Sequence, residues 1–290
     1  MDTDLLKTFI EVCKTRHFGK AAENLYVTQA AVSSRIRQLE SRLGVELFSR
    51  LRNNLKLTPA GDRLLPHAES VLHAWQRAFQ EVAITDNQSA ILSLAGSPNI
   101  WDLMLQNNLY ELKLSKPDLA IRAEVLSHNL VARLLLERSV DLAVVFDAPK
   151  VDELQNVKLS QLPLELVCSK SLALQDIHQV GYIMMDWGTQ FNLQHAKQCK
   201  DLPAPSLHTN LARVALDYML QAGGAAYLPS ILVEPYIEQG SLFQVHDAPE
   251  MTRDVYASYH KENENKLLLE DVIKIFKGAG AQAAPSLLPE

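Results

Sequence analysis

The chain has 290 residues, enough for about two domains that each bury a core. Its 47% apolar and 21% charged content excludes a disordered or fibrous class, and no apolar run reaches the roughly 18 residues of a membrane span. The net charge of −6 divides unevenly: residues 1–61 carry ten Lys/Arg against six Asp/Glu (+4), the remainder eighteen against twenty-eight (−10), so phosphate attraction is concentrated at one end.

The opening MDTDLLKTFIEV is acidic and amphipathic, which fits a first helix over residues 3–14 and not a signal peptide. Leu5, Leu6, Phe9, Ile10 and Cys13 share its inner face. Residues 18–61 read FGKAAENLYVTQAAVSSRIRQLESRLGVELFSRLRNNLKLTPAG. Ala21 and Ala22 are small enough for a second helix to cross close by, and Leu25, Val32, Ile36 and Leu39 recur at helical spacing. Thr28 is a good N-cap for that second helix, and Gly44 ends it. Its outer face then shows Gln29, Ser33, Ser34, Arg35, Arg37 and Gln38, side chains suited to base edges and phosphates in a major groove. Residues 47–50 and 56–58 form a hairpin, with Asn53-Asn54 tolerating the turn, and Thr58-Pro59 is a cap followed by a proline at a helix start. Gln29, Ser33, Ser34 and Arg35 are therefore expected to face bases and phosphates. Arg37, Arg50, Arg52 and Lys56 would mostly hold phosphates, which position a protein without reading sequence. Solvated surface charge explains any single Arg, but explains less well a group sharing one face.

This segment resembles the winged helix-turn-helix of the LysR-type transcriptional regulators. The resemblance is carried by Leu5, Leu6, Phe9, Phe18, Ala21-Ala22, Gln29, Val32-Ser33, Ile36, Leu39-Glu40, Leu43-Gly44, Leu47-Phe48, Arg50 and Leu57-Thr58-Pro59-Ala60-Gly61. His17 stands where the family usually has Ser or Thr, and Asn53 where it often has a second wing Arg, with Arg52 one place earlier. Within the family the opening, TRHFGKAAENLY and SRLRNNLKLTPAG are most similar to repressors of the flagellar master operon. The resemblance implies a cytoplasmic, cofactor-free, non-catalytic regulator. It would act as a homodimer or dimer of dimers on double-stranded DNA with dyad symmetry, answer to a small-molecule effector, contact RNA polymerase and leave membranes alone.

Domain 1–61 would then be the DNA-binding head and residues 62–85 a linker helix. Leu64, Ala68, Val71, Trp75, Ala78 and Val82 alternate by four and three, widened by Leu65, Leu72 and Phe79. Such a stripe could pack on the chain's own body. The resemblance implies instead that Leu64, Ala68, Val71, Leu72, Trp75 and Phe79 pair two subunits. The polar residues 86–90 read as a hinge.

From residue 91 short apolar runs alternate with helices. Candidate strands are 91–95, 119–126, 142–146, 164–169, 181–185, 225–228 and 255–259, with helices near 101–113, 130–138, 191–199, 212–222 and 231–239. This pattern predicts an α/β fold with a mostly parallel sheet covered on both faces. The resemblance implies an effector domain over 91–277, built like a periplasmic binding protein. Its first subdomain would span about 91–162 and 260–277 and its second about 163–259, with a last helix over 265–277. Residues 278–290 are Ala/Gly/Pro-rich and expected to be disordered.

In an open α/β sheet a ligand sits beyond the carboxyl ends of strands. That rule selects Ser97 and Asn99, Ser127 and His128, Phe146 with Asp147, and Thr209 and Asn210 from the other half. Ser and Asn at such places are equally ordinary helix caps. Arg122, Arg133 and Arg213 are the nearest basic residues, none plainly in the crevice, so an anionic effector is not demanded. His195 and Cys199 lie four apart on a helix without a second pair, so no metal is expected. Gly223-Gly224 lacks the Lys-Ser/Thr of a phosphate loop. Cys13, Cys168 and Cys199 are widely spaced and suit reduced thiols better than a disulfide framework. The alternative from another class is a small-molecule binding protein whose head mediates assembly; the +4 head argues against it.

Overall fold

The computed structural model describes residues 2–51, 54–82 and 90–279, in two compact units, Met1–Thr85 and Asp86–Glu290. The turn at residues 52–53, most of the 86–90 hinge and the tail from residue 280 lie outside the described residues.

In the first unit α1 (Thr3–Thr15) starts at Asp2, whose carboxylate accepts from the Asp4 N–H at 3.2 Å. It buries Leu5, Phe9, Ile10 and Val12, whereas Leu6 and Cys13 are only half-buried. α2 (Phe18–Asn24) and α3 (Gln29–Leu43) cross where Ala21 and Ala22 leave room, over the buried Val32, Ile36 and Leu39. Leu25 is half-buried at the α2 C-terminus and stands outside that core. Thr28 Oγ1 accepts from Ala31 N–H at 3.2 Å, and Gly44 closes α3 at φ +69°. The hairpin pairs β1 (Phe48–Leu51) with β2 (Asn54–Leu57), in register Phe48↔Leu57 and Ser49↔Lys56. Its second strand thus starts two residues before the expected one. Glu40 Oε1 anchors it to α3 by accepting from Leu47 N–H at 2.8 Å. α4 (Pro59–Val82) begins at Thr58, whose Oγ1 accepts from Gly61 N–H at 3.1 Å. A Cβ on Gly61 would stand 2.3 Å from the Leu47 carbonyl oxygen, so only glycine lets α4 leave the hairpin at this angle.

The second unit runs β3 (Ala90–Gly96), α5 (Pro98–Ile100), a π-helical turn (Trp101–Leu105), α6 (Gln106–Ser115), β4 (Leu119–Val125), α7 (His128–Leu136) and β5 (Leu142–Val145). It continues through β6 (Leu154–Cys168), β7 (Tyr182–Met185), α8 (Thr189–Gln198), β8 (Pro205–Thr209), α9 (Ala212–Ala222), β9 (Ala225–Pro229) and α10 (Ser230–Glu238). β10 (Phe243–Gln244), β11 (Met251–His260) and α11 (Lys266–Ala279) complete it. One nine-stranded sheet has the order β4-β3-β5-β11-β6-β9-β7-β8, with β10 beside β6. Strands are parallel toward each end, but β11 is antiparallel to both β5 and β6, and β6 to β9.

Here the expected elements need correction. The strand anticipated at 164–169 begins at Leu154 and pairs with β11 from Leu154↔His260 to Leu164↔Met251. Its first ten residues are mostly half-buried or exposed, so they carry no continuous apolar run. Strand β8 escaped notice because PSLHT is short and leaves no residue fully buried. Two cores flank the crossing strands: Leu92, Leu94, Leu112 and Phe276 on one side, Ile183, Trp187, Leu216 and Tyr227 on the other. α11 contributes Leu269, Val272, Ile273 and Phe276 to the first, at roughly 1.5–3 kcal/mol for each side chain fully buried.

Candidate nucleic-acid interface and ligand cleft

Burial along α3 follows the helical period, leaving Ala30, Ser34, Arg37, Gln38 and Ser41 exposed together, with Gln29 exposed in the first turn. Arg37 Nε donates to the Ser33 carbonyl at 3.3 Å, which steadies the side chain along its own helix. Ser33 and Arg35 do not belong to this outer face. Ser33 is half-buried on one flank. Arg35 turns back to α1, where Nη1 donates to Thr8 Oγ1 at 3.3 Å and Nη2 lies 3.5 Å from Asp4 Oδ2. A carboxylate and a hydroxyl from α1 engage the guanidinium, so Arg35 ties two helices together. Lys56 is exposed on the hairpin opposite Ser49. Arg50 lies in β1 but its side chain, like Arg52 altogether, falls outside the described residues.

His17 acquires a role that its residue type hid. Its Nδ1 accepts from Gly19 N–H at 3.0 Å and Lys20 N–H at 3.2 Å, so a neutral ring protonated at Nε2 caps α2. A Ser or Thr would do the same through its hydroxyl.

The apolar stripe of α4 splits. Leu64, Leu65 and Leu72 pack on the head's own core, and Ala68 is 1% exposed within it. Val71 is half-buried, while Trp75 (55% exposed), Phe79 (70%) and Val82 (88%) stand out from the helix. The expected pairing face is therefore corrected at Ala68, which the small head encloses, while Leu64 and Leu72 are half-buried against the same core.

In the second unit a cleft of about 380 Å³ collects Ser97, Asn99, Ser127, Phe146 and Asn210 on its walls. Asn99 is almost fully buried and reaches across the cleft floor: Nδ2 donates to the Asn210 carbonyl at 2.8 Å and Oδ1 accepts from Ala212 N–H at 3.0 Å. Ser97 Oγ caps α5 by accepting from Ile100 N–H at 3.4 Å. Thr209 is not part of the wall; its Oγ1 accepts from Leu211 N–H at 3.1 Å in a local turn. The His128 side chain lies outside the described residues.

Sequence reasoning missed the opposite wall, formed by Asp186, Trp187, Gly188, Thr189 and Asn192. These follow the carboxyl end of β7, so the strand-end rule would have reached them had it been applied to every strand. Asp186 Oδ1 accepts from Gly188 N–H at 3.0 Å and Asn192 Nδ2 at 2.9 Å. Asp147 joins three parts of the unit: Oδ1 accepts from Arg253 Nη2 at 2.6 Å and Oδ2 from Thr189 N–H at 3.1 Å. Gly188, at φ +97°, is held so close that a Cβ would meet Asp147 Oδ2 at 2.2 Å. Arg253 is fully buried in β11, under the Phe146 ring at 5.7 Å. Nothing local in its sequence announces that position.

The charge of the cleft follows. Its walls carry two carboxylates and, among the described residues, no Lys or Arg. Arg213 pairs with Asp102 at 2.9 Å, Arg122 is bound to Glu124, and Arg133 Nε lies 3.9 Å from Glu137. Elsewhere, His195 Nε2 lies 2.6 Å from Tyr182 Oη, and Cys199 Sγ 3.6 Å from Tyr227 Oη. Burial pushes the thiols of Cys168 and Cys199 up, and that of Cys13, also beside Glu69 and Asp62, to about 12. Protonated thiols are poor nucleophiles. No group of three metal-ligating side chains occurs among the described residues, and no helix among them is long and apolar enough to cross a membrane.

Residues 3–62 match the bacterial regulatory helix-turn-helix of the lysR family, and residues 59–281 match the LysR substrate binding domain. The chain belongs to the LysR family of transcriptional regulators. It is 38% identical over 277 residues to the HTH-type transcriptional regulator HdfR of Salmonella schwarzengrund, covering 94% of this chain and 98% of that one. It is 38% identical over 285 residues to HdfR of Yersinia pestis, covering 94% and 96%. The solved structure of CbnR, a LysR family transcriptional regulator, superposes with a TM-score of 0.70 at 19% identity, over 99% of this chain and 100% of that one. At that identity the likeness to CbnR speaks for the fold alone. The LysR head and the LysR substrate-binding unit account for both compact units, and the chain is a DNA-binding transcriptional regulator of this family.

Proposed function

We propose that this regulator acts in the cytoplasm as a non-catalytic homodimer or dimer of dimers on dyad-symmetric DNA. The observation that carries the reading is the exposed face of α3, where Ser34, Arg37 and Gln38 lie together on a head of net charge +4. Ser34 and Gln38 would meet base edges, with Gln29 at the helix start, while Arg37 of α3 and Lys56, Arg50 and Arg52 of the wing hold phosphates. The apolar Trp75, Phe79 and Val82 of α4, exposed in the single chain, support pairing through the outer half of the linker helix. Structural relatives include CbnR complexed with its target DNA (TM-score 0.70) and Vibrio fischeri DarR in complex with DNA (TM-score 0.58).

The cleft between β3, β5 and β7 is the effector site of this reading. Asp147 is already paired with Arg253, but Asp186 accepts from the neutral donors of Gly188 and Asn192, and with no Lys or Arg on the walls among the described residues the cleft favours a neutral or cationic effector over an anion. An effector couples to DNA only through unequal affinity for two arrangements of the halves. The Asn99 bonds to Asn210 and Ala212 and the Arg213–Asp102 pair are the contacts such a change has to break. Repression of flagellar genes is the finer proposal, supported by the 38% identity to HdfR; RNA polymerase contact is part of the same reading.

Operator selection from genomic fragments at two salt concentrations tests it. A dyad-symmetric, salt-sensitive motif upstream of flagellar regulatory genes is expected. A dyad motif elsewhere would keep the operator reading and discard the flagellar role. Absence of enrichment at low salt would overturn the operator reading.

A further inference from the structure

Tyr26 stands 96% exposed in the turn that joins α2 to α3, and among the described residues its Oη has no hydrogen-bond partner. That turn is a Schellman closure of α2: Val27 N–H donates to the Ala22 carbonyl at 3.0 Å, and Tyr26 N–H to the Glu23 carbonyl at 3.2 Å. The closure holds Tyr26 in the left-handed region, at φ +55°, where glycine fits without strain. Val27 packs on the head's core, while the Tyr26 ring points away from it and buries nothing. A tyrosine here is disfavoured by its backbone and unrewarded by packing, so the stability of the head does not account for it. Arg16 and Arg138 share the left-handed region, so the backbone alone does not single Tyr26 out. Its distinction is a strained position combined with an unpartnered, fully exposed phenol.

The place of the turn supplies the partner. In a helix-turn-helix the first helix crosses the DNA backbone, and the second enters the major groove with its N-terminal residues at the bases. Here those helices are α2 and α3, so Tyr26, three residues before Gln29, comes to the rim of the groove where phosphates stand. A phenol hydroxyl is a neutral donor that suits a phosphate oxygen. We propose that Tyr26 is a DNA contact, its Oη donating to a backbone phosphate beside the groove that α3 enters. This contact rests on the reading of α3 as the helix in the groove. It adds affinity without regard to sequence. Because it carries no charge it releases no counterion, and its share of the affinity is the same at every salt concentration, unlike that of Arg37 or Lys56.

The test is fluorescence anisotropy of the full-length protein on a mixed-sequence 40-base-pair duplex across a series of salt concentrations. Tyr26→Phe keeps the ring and the backbone strain and loses only the hydroxyl. It should bind about tenfold more weakly at every salt concentration, with the slope of log K against log salt unchanged. Tyr26→Gly relieves the backbone, so it should melt no lower than the wild type and yet bind no more tightly than Tyr26→Phe. A merely structural tyrosine would give the reverse: Tyr26→Phe binding as the wild type does, or Tyr26→Gly losing stability together with affinity. Either result overturns the inference, as does a Tyr26→Phe loss that comes with a changed salt slope. A wild type that does not bind the duplex even at low salt removes the reading of α3 and this contact together, whereas equal binding by wild type and Tyr26→Phe removes the contact alone.

Discussion

Asp147→Ala tests how the substrate-binding unit is held around its cleft. The carboxylate is 25% exposed, and its Arg253 partner, 2.6 Å away, is 0% exposed. Arg253 retains only Gln190 Oε1 at 3.2 Å once Asp147 is gone, and its Nε already has no partner among the described residues. Removing one member of a buried pair strands the other charge, at a cost of about 3–5 kcal/mol. Loss of the acceptor for Thr189 N–H, which opens α8, adds about 1 kcal/mol. For a unit of this size each kcal/mol moves the melting temperature by about 2–4 °C, so a drop of about 8–24 °C is expected. Near-UV circular dichroism reads it, since Trp187 packs edge-on against Phe146 at 5.8 Å within the same cluster. Adding Arg253→Met to Asp147→Ala should recover most of the loss, because no charge is left buried alone. A single variant melting within 3 °C of the wild type, or a double variant no better than the single, would refute this account of the cleft.

Arg37→Ala and Lys56→Ala should each weaken operator binding and lower the slope of log K against log salt by about 0.9, read by fluorescence anisotropy; unchanged slopes would remove them from the phosphate contacts. Trp75→Asp combined with Phe79→Asp should give monomers in light scattering, since both rings are exposed in the single chain, and persistence of the dimer would place pairing elsewhere. His17→Ala should lower head stability by about 1 kcal/mol while His17→Ser stays near the wild type, because the cap needs only an acceptor. Burial holds the His195 pKa below its ordinary value, so the unfolded chain takes up this proton first as pH falls. The corresponding stability is present above about pH 6.5 and lost below it, and a melting series should flatten there in His195→Gln, which keeps an acceptor for Tyr182.

The helix-turn-helix was legible because its signals are local. Thr28 and Gly44 bound α3 through contacts within a few residues, and Val32, Ile36 and Leu39 mark the inner face by period alone. Arg35 shows where that reading stops: its partners, Asp4 and Thr8, come from another helix. The α4 stripe was visible as a stripe, but the division between Ala68, inside the head, and Phe79, outside it, depends on where α1 passes. The cleft was half legible. Ser97 and Phe146 follow strands with continuous buried apolar runs and Ser127 follows the half-buried β4, whereas the Asp147–Arg253 pair joins residues 106 apart, and the half-exposed start of β6 hid the strand that brings β11 across.

That crossing pair also orders events during synthesis. β5 lies between β3 and β11, and the core beneath it includes Val255, Ala257 and Phe276, all from the last part of the chain. The helix-turn-helix head draws its core from residues 5–72 and can close as soon as it leaves the ribosome. The first half of the substrate-binding unit cannot, because about 100 residues separate β5 from the β11 strand beside it. Until β11 emerges, the edges of β5 and β6 stay unpaired on that side, and slow translation or truncation before residue 251 leaves a finished head tethered to an aggregation-prone sheet.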